Sequence, residues 1–438
     1  VGCSDAAKLA GVITGGKFTE TAKNGTNVAL LGDGVIFGDV PVEGYYNIIP
    51  GLKGNGTVDA PYLIRTIKEL ELFRASVNNG ETKYNAPGVW VALDADIDMT
   101  GVNWVGIGTV TAEHGFMGNF DGKNFKIKNL TIDNPALDSD GYAYAGLFGV
   151  TEGTDKDNQN TIKNLTIENV TINTTGDIVS AAIAYPYYTN VDNVKVCGDI
   201  KILGGDYTAG VLAYTRRCVN ASNLSIVGNE GSFVMGNQTV GGVISDIQMN
   251  GGLTAVYNNF SAEDLTISGE KSVGGISGII ATQTLDGASV KNVTLNCSDA
   301  RVGIVSGCLG GTSTISNVTY ENVTGATNLI GATYDNAKAV AAKIGDTYYA
   351  TLEDALAAVL DGETITLTEG AEGDESKTEI EFTKAIEFTI TGKAPKYALP
   401  VITFQNAKVN IKDAEVLIPE LDARQNATIN VIDSKVVG

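Results

Sequence analysis

The chain has 438 residues, 43% of them apolar, which is enough for two or three domains with a large buried core and too many for a disordered polypeptide. Acidic residues outnumber basic ones 51 to 30, and the resulting formal charge of −21 argues against nucleic acid or an anionic membrane surface as partner, since each requires a basic face. No stretch is long and apolar enough to cross a membrane as a helix, so no membrane insertion is expected in this segment.

Residues 1–52 contain the strand-like runs "GVITGGKF", "VALLGDGVIFG" and "GYYNIIP" with no helical start before them. They read as the tail of a preceding β unit or as an N-terminal strand layer packed on the next helix. That helix is expected in "YLIRTIKELELFRASV" (62–77), with Ile67, Leu70, Phe73 and Val77 near helical spacing. Thr66 followed by Glu69 makes a capping box, so a short amphipathic helix is expected to cover the first turn of a larger structure.

From residue 126 onward one pattern returns: "KNLTI" around Leu130 and again around Leu165, "DNVKV" around Val194, "SNLSI" around Leu224, "EDLTI" around Leu265, "KNVTL" around Val293 and "SNVTY" around Val318. The steps are 35, 29, 30, 41, 28 and 25 residues. A second pattern alternates with it, one copy per period: "AGLFG" (145–149), "AAIAY" (181–185), "AGVLAY" (209–214), "GGVIS" (241–245), "GGISG" (274–278), "GIVSG" (303–307) and "NLIGA" (328–332). Each element is short, β-rich and bounded by Gly, Asn or Asp. A period near 30 with two or three short strands and no helix suits one coil of a parallel β-helix; a propeller blade needs about 40–45 residues.

Stacked coils bring each repeat position about 4.8 Å from its copy, so like residues form ladders. In "NLTI" the Leu and Ile point to the core, the Thr points outward, and the Asn takes the corner, where it tolerates left-handed backbone and bonds neighbouring backbone. Leu147 or Phe148 should fill the core beneath the next coil while the small residues around them let the chain turn. A second capped start lies at 348–360, "YYATLEDALAAVL", with Thr351 and Asp354 in the equivalent places. Strand-like runs continue from it to residue 438. The order of pieces suggests a segment of a longer tandem array.

With these residues in view, the centre of the chain resembles bacterial surface proteins carrying the GLUG motif. "GTVDAPYLIRTIKELELF" is similar to their opening helix, "WVALDADIDMTGVNWVGIGT" (90–109) to the following segment, and "FMGNFDGKNFKIKNLTI" (116–132) with "YAGLFG" (144–149) to the signature pair. "IGDTYYATLEDALAAVLDGETITL" (344–367) is similar to a start sequence of repeat-bearing surface proteins from gut bacteria. The resemblance implies an all-β fold: a right-handed parallel β-helix over 53–335 with its capping helix, then the start of a second β-helix-like or β-rich unit over 336–438 with a capping helix near 351–360. It also implies an extracellular place on the bacterial surface or cell wall. GLUG repeats occur in some bacterial peptidases too.

Chemistry is sparse. Asp94, Asp96 and Asp98 alternate on one strand face and read as a solvated edge or a calcium site. "DSDG" (138–141) is a fragment of a calcium loop. Asp246, Asp264 and Asp299 fall near turns with no common coil position. The single histidine, His114, reads as a loop residue and supports no triad or zinc site. The five cysteines, 3, 197, 218, 297 and 308, fit no metal or redox spacing; the last four read as small core residues, and a Cys297–Cys308 bridge is open. No catalytic residue, metal ligand or cofactor is assigned.

Binding is better indicated. Tyr185 and Tyr214 close two consecutive repeat elements and should stack on adjacent coils, with Tyr187, Tyr188 and Tyr207 nearby. Such a strip either holds sugar rings or is an aromatic ladder under a loop. Arg216 and Arg217, a rare basic pair, either clamp a carboxylated sugar or form surface ion pairs. The reading is an adhesin without enzymatic activity that binds a host or microbial glycan or surface protein through Tyr185, Tyr187, Tyr188, Tyr214 and Arg216. A polysaccharide lyase or glycoside hydrolase of pectin-lyase-like shape is the alternative, and a non-binding stalk the third. Oligomeric state is not readable.

Overall fold

The computed structural model describes residues 17–18, 34–37, 42, 45–109, 115–138, 142–217, 219–248, 255–299, 301–310, 312–333, 342–349, 351–368, 379–398, 401–417 and 421–437. Cys3, His114, Cys218 and residues 139–141 of "DSDG" lie outside the described residues. The fold is an all-β parallel β-helix with short capping helices. Among the described residues no helix is long and apolar enough to cross a membrane.

One coil illustrates the body. Tyr144–Ala145 runs in sheet C, Phe148–Glu152 in sheet B, and Asn160–Asn173 in sheet A. The next coil repeats the order as Ile178–Val179, Ile183–Tyr187 and Thr189–Leu203. All three joins are parallel: Tyr144 pairs with Ile178, Phe148 with Ile183, Leu165 with Val194. Sheet B continues through Leu212–Thr215, Ile244–Gln248, Ser277–Ala281, Ser306–Gly310 and Ile330–Thr333.

The long strand of sheet A carries two copies of the "N-Φ-x-Φ" element rather than one. Its buried apolar residues are Ile162, Leu165, Ile167, Val170 and Ile172. They alternate within each stretch and skip one extra position at Asn164 and at Asn169, both in the left-handed region with φ 52° and 60°. Each Asn turns the strand by absorbing the residue that would flip the alternation. Register then separates two rows. Leu165, Val194, Leu224, Phe260, Ala288 and Val318 form one; Leu130 with Val170, and Leu265 with Val293, belong to the other. The uneven sequence steps arose from moving between rows, which corrects the expectation of one copy per period. Corner side chains also bond along the stack: Asn193 Nδ2 donates to Asn164 Oδ1 at 2.9 Å, Asn169 to Asn129 at 3.1 Å, and Asn322 to Asn292 at 3.0 Å.

"YAGLFG" spans the corner from sheet C to sheet B. Leu147 and Phe148 are both fully buried in the main core, so both do what one was expected to do. The Leu147 amide donates to Ala181 O at 2.9 Å, and the corner repeats upward through Val211, Val243, Ile276 and Val305. A Cβ added at Gly146 would stand 2.8 Å from Phe148 O, and one at Gly149 2.6 Å from Gly108 O, so the arch requires its glycines.

Helix α1, Ile67–Asn78, covers the first coil with Leu70, Phe73 and Val77 buried, and Thr66 caps it by accepting from the Glu69 amide. The strands Lys17–Phe18, Val35–Phe37 and Tyr46–Pro50 form an antiparallel sheet, and the Gly34 amide donates to Glu69 Oε1 at 2.9 Å. At the other end the hairpin Ala342–Ile344/Thr347–Tyr349 joins sheet A antiparallel, Ile315 opposite Tyr348. Helix α2, Leu352–Ala358, comes next with Thr351 as cap. It packs on a second core built from the parallel strands Thr364–Leu367, Glu387–Ala398 and Lys408–Leu417, with a smaller sheet of Glu379–Phe382, Val401–Gln405 and Leu421–Arg424.

Candidate functional site

Sheets B and C also touch outside the main core. Ser245 Oγ donates to Thr239 O at 2.7 Å and Ser272 Oγ to Gly278 O at 2.8 Å. Two small clusters sit in this second layer: Ile178, Ala184 and Ala213 under tyrosines, and Ile279, Cys308 and Ala332 further along. The layer is a consequence of the arch. A strand folded back after "GLFG" leaves one face of each short sheet turned away from the lumen, and those faces meet.

One column of sheet B in this layer reads Val150, Tyr185, Tyr214, Asp246, Ile279, Cys308 and Ala332 from coil to coil. Tyr185 and Tyr214 stack with centroids 5.8 Å apart and planes 19° from parallel, as the repeat spacing predicts. Tyr144 and Tyr207 reach them from sheet C, at 5.8 Å and 4.4 Å. Tyr187 stacks on Tyr185 at 6.2 Å and meets Tyr188 edge-on at 4.8 Å. The rings are half-buried, and burial pushes the Tyr185 hydroxyl above its ordinary pKa, so it remains a proton donor.

Arg216 lies with its guanidinium 3.4 Å from the Tyr214 ring centre. Its backbone pairs with Tyr187, and the next residues, Tyr188 and Arg217, both hold positive φ of 47° and 54° with the Tyr188 amide donating to Arg217 O. Left-handed backbone at residues this large costs about 1–2 kcal/mol each and persists only where neighbours fix it. The five residues singled out from the sequence, Tyr185, Tyr187, Tyr188, Tyr214 and Arg216, therefore form one connected group. Arg216 is 9% exposed and stands in no ion pair of the described residues, which corrects the surface ion-pair reading for it.

Asp246 is the candidate that the sequence places wrongly, near a turn. It lies inside the strand Ile244–Gln248, not at a turn, one rung above Tyr214. It is fully buried; Oδ2 accepts from Gln248 Nε2 at 3.1 Å, and Oδ1 has no partner. Desolvation pushes its pKa up to about 7, with the nearby Arg216 charge opposing that rise. The signal was present in the alignment of "GVISD" under "GVLAY", which puts Asp246 in the tyrosine column. Asp264 does share a coil position: it takes the left-handed corner with φ 56° and accepts from Asn292 at 2.8 Å. Asp299 pairs with Arg301 at 3.5 Å.

The remaining candidates are structural. Asp96 accepts from the Lys126 amide at 2.9 Å and pairs with Lys128 at 2.7 Å, while Asp98 accepts from Asn129 at 2.9 Å, so these exposed carboxylates tie one coil to the next. Among the described residues no group of three or more His, Cys, Asp or Glu is placed to hold a metal. Cys197, Cys297 and Cys308 are free thiols; Cys308 is buried in the outer layer, not the main core, and Cys197 and Cys297 are half-buried. A cavity of about 160 Å³ opens beside Tyr144, lined by Trp104, Val105, Pro135, Leu137 and Tyr142.

No family model and no curated protein matches the chain. Among solved structures it is similar to one described as "Crystal structure of a putative immunoglobulin A1 protease from Bacteroides ovatus", with a TM-score of 0.40 and 20% identity over 62% of this chain and 76% of that one. A likeness of that size carries no argument about chemistry; the parallel coil rests on strand register.

Proposed function

We propose that this chain is part of an extracellular, GLUG-type bacterial surface protein that acts without catalysis, as an adhesin whose tyrosine patch holds a glycan or the glycan of a host or microbial surface protein. The observation that carries this reading is the connected set of half-buried rings from Tyr144 to Tyr214 with Arg216 laid on its end. Ring faces take the C–H side of a sugar, phenol hydroxyls bond its hydroxyls, and rings already stacked lose little freedom on binding. A broad glycan array and a mucin pull-down test it. Binding that Tyr185→Ala with Tyr214→Ala abolishes, while the melting curve holds its shape, supports the reading. Blank results in both leave a spacer as the function.

One observation favours a second reading. Asp246, buried one rung from Tyr214 and holding a proton near neutral pH within electrostatic reach of Arg216, is a carboxyl group of the kind a polysaccharide-cleaving enzyme uses as its acid. Release of reducing ends from an acidic polysaccharide, lost in D246N, would establish it in place of adhesion.

A further inference from the structure

Resting on the glycan-binding reading, we infer that the patch selects sugars bearing a carboxylate, and that Arg216 receives that carboxylate. The charge balance points this way. The chain carries −21 overall, and ion pairs hold Arg65, Lys126, Lys128, Lys163, Lys291 and Arg301 of the first unit against acidic partners. Arg216 differs. Its guanidinium face lies on Tyr214, and Nη1 donates to Thr215 O at 3.3 Å. A guanidinium stacked on a ring keeps its edge for a planar acceptor, and a carboxylate is the acceptor that matches a fork of N–H groups.

The charged and titratable groups around it decide what it can take. Asp246, one rung from Tyr214, feels the Arg216 charge, yet its Oδ2 accepts from Gln248 and its Oδ1 is unpaired, so it has not closed on Arg216. On its far side the column continues with Ile279, which brings no charge. Arg217 and Glu152 both lie within electrostatic reach of Tyr185 and oppose each other in sign. With its proton on, Asp246 leaves the positive charge of Arg216 unmatched. Ionised, it competes with a ligand for that charge. The half-buried tyrosine hydroxyls supply neutral donors beside it.

The test compares sialyllactose and trigalacturonic acid with their carboxyl-amidated forms, by calorimetry on the whole chain. Carboxylate forms should bind roughly tenfold or more tightly than the amides. R216Q should erase that preference and R216K keep part of it, with Tyr185→Ala plus Tyr214→Ala weakening both forms. Affinity of the wild type for the acids should fall several-fold between about pH 6 and about pH 8, and D246N should remove that slope. Equal affinity for acid and amide, or a preference that survives R216Q, overturns the inference while glycan binding stands. Failure of every sugar to bind overturns the glycan reading and this inference with it. The acid-against-amide comparison uses the unaltered protein, so a variant that does not fold leaves the test decisive.

Discussion

Both units of the molecule begin on a threonine-capped helix and proceed into parallel coils bent at left-handed Asn or Asp corners, yet paired residues recur mostly about 30 residues apart in the first and 19 to 25 apart in the second. The additional residues in each coil of the first unit are the "GLFG" arch and the short strand of sheet C. Without that strand the second unit builds its core from two sheets around Phe382, Phe388 and Phe404. With it, the first unit gains a layer outside the core where polar residues can be buried next to tyrosines. The difference teaches where a site can form on such a scaffold: not in the lumen, which is packed in both units, but where the longer coil folds a strand back on itself.

The largest expected effect comes from breaking one core and sparing the other. Leu147→Asp places an unpaired charge among fully buried side chains and should cost several kcal/mol. Ile411→Asp does the same in the second core. Calorimetry should show each variant lowering a different transition. A Leu147→Asp protein that melts like its parent would show the arch register to be wrong.

The outer layer has its own signature in pH. Burial pushes the Asp246 carboxyl from its ordinary value of 3.8 up to about 7 in the folded chain. Between those values the folded protein holds a proton that the unfolded chain has released, so stability falls as pH rises through the window and stays lower above it. D246N should match the wild type at the acid end and exceed it by up to about 4 kcal/mol above neutrality. Chemical denaturation at several pH values reads the difference. A constant gap across the range would mean that Asp246 does not hold its proton.

The first cap reaches beyond its own helix. Glu69 is fully buried and accepts from Gly34 N, Arg65 N and Arg65 Nη2, tying the helix to the antiparallel strands before it. Asp354 bonds its own cap, Thr351, at 2.6 Å. Glu69→Ala should therefore cost about 2–3 kcal/mol in the first unit's transition, against the roughly 1 kcal/mol of a helix cap alone. A loss near the roughly 1 kcal/mol of a cap alone would mean that the strand layer adds nothing to the first cap.

Much of this was legible because repeats make neighbours of like residues. Thr66 with Glu69, Leu147 with Phe148, and Tyr185 with Tyr214 are each read from spacing alone, and each stands where spacing puts it. The two-row strand was not legible, since "KNLTI" at 165 and "ENVTI" at 170 look like copies along the chain while register pairs the second with Leu130. Asp246 was misplaced for a related reason. A carboxylate in an apolar column looks like a turn residue until sheet C is seen to cover that face, and nothing in "GGVISDIQ" states that the layer exists.

The smallest effect tests what the two units share. Asn193 at φ 53° donates to Asn164, and Asn406 at φ 60° donates to Gln425 Oε1 at 2.8 Å. If the corner is set by backbone geometry, Ala at either position should cost about 1–2 kcal/mol, because Ala resists the left-handed region and also loses the bond. Gly should cost less at both, since it accepts the conformation and forfeits only the side-chain contact. If the side-chain ladder set the corner instead, Gly and Ala would be equally harmful. The Gly-to-Ala ratio therefore separates conformation from ladder. The sequence already leans one way, because Gly198 with φ 91° and Gly287 with φ 82° occupy corners of the first unit with no side chain to contribute. A corner that tolerates Gly in two coils is held chiefly by what the backbone can adopt, and the same ratio at 193 and 406 would extend that rule from the longer coil to the shorter one.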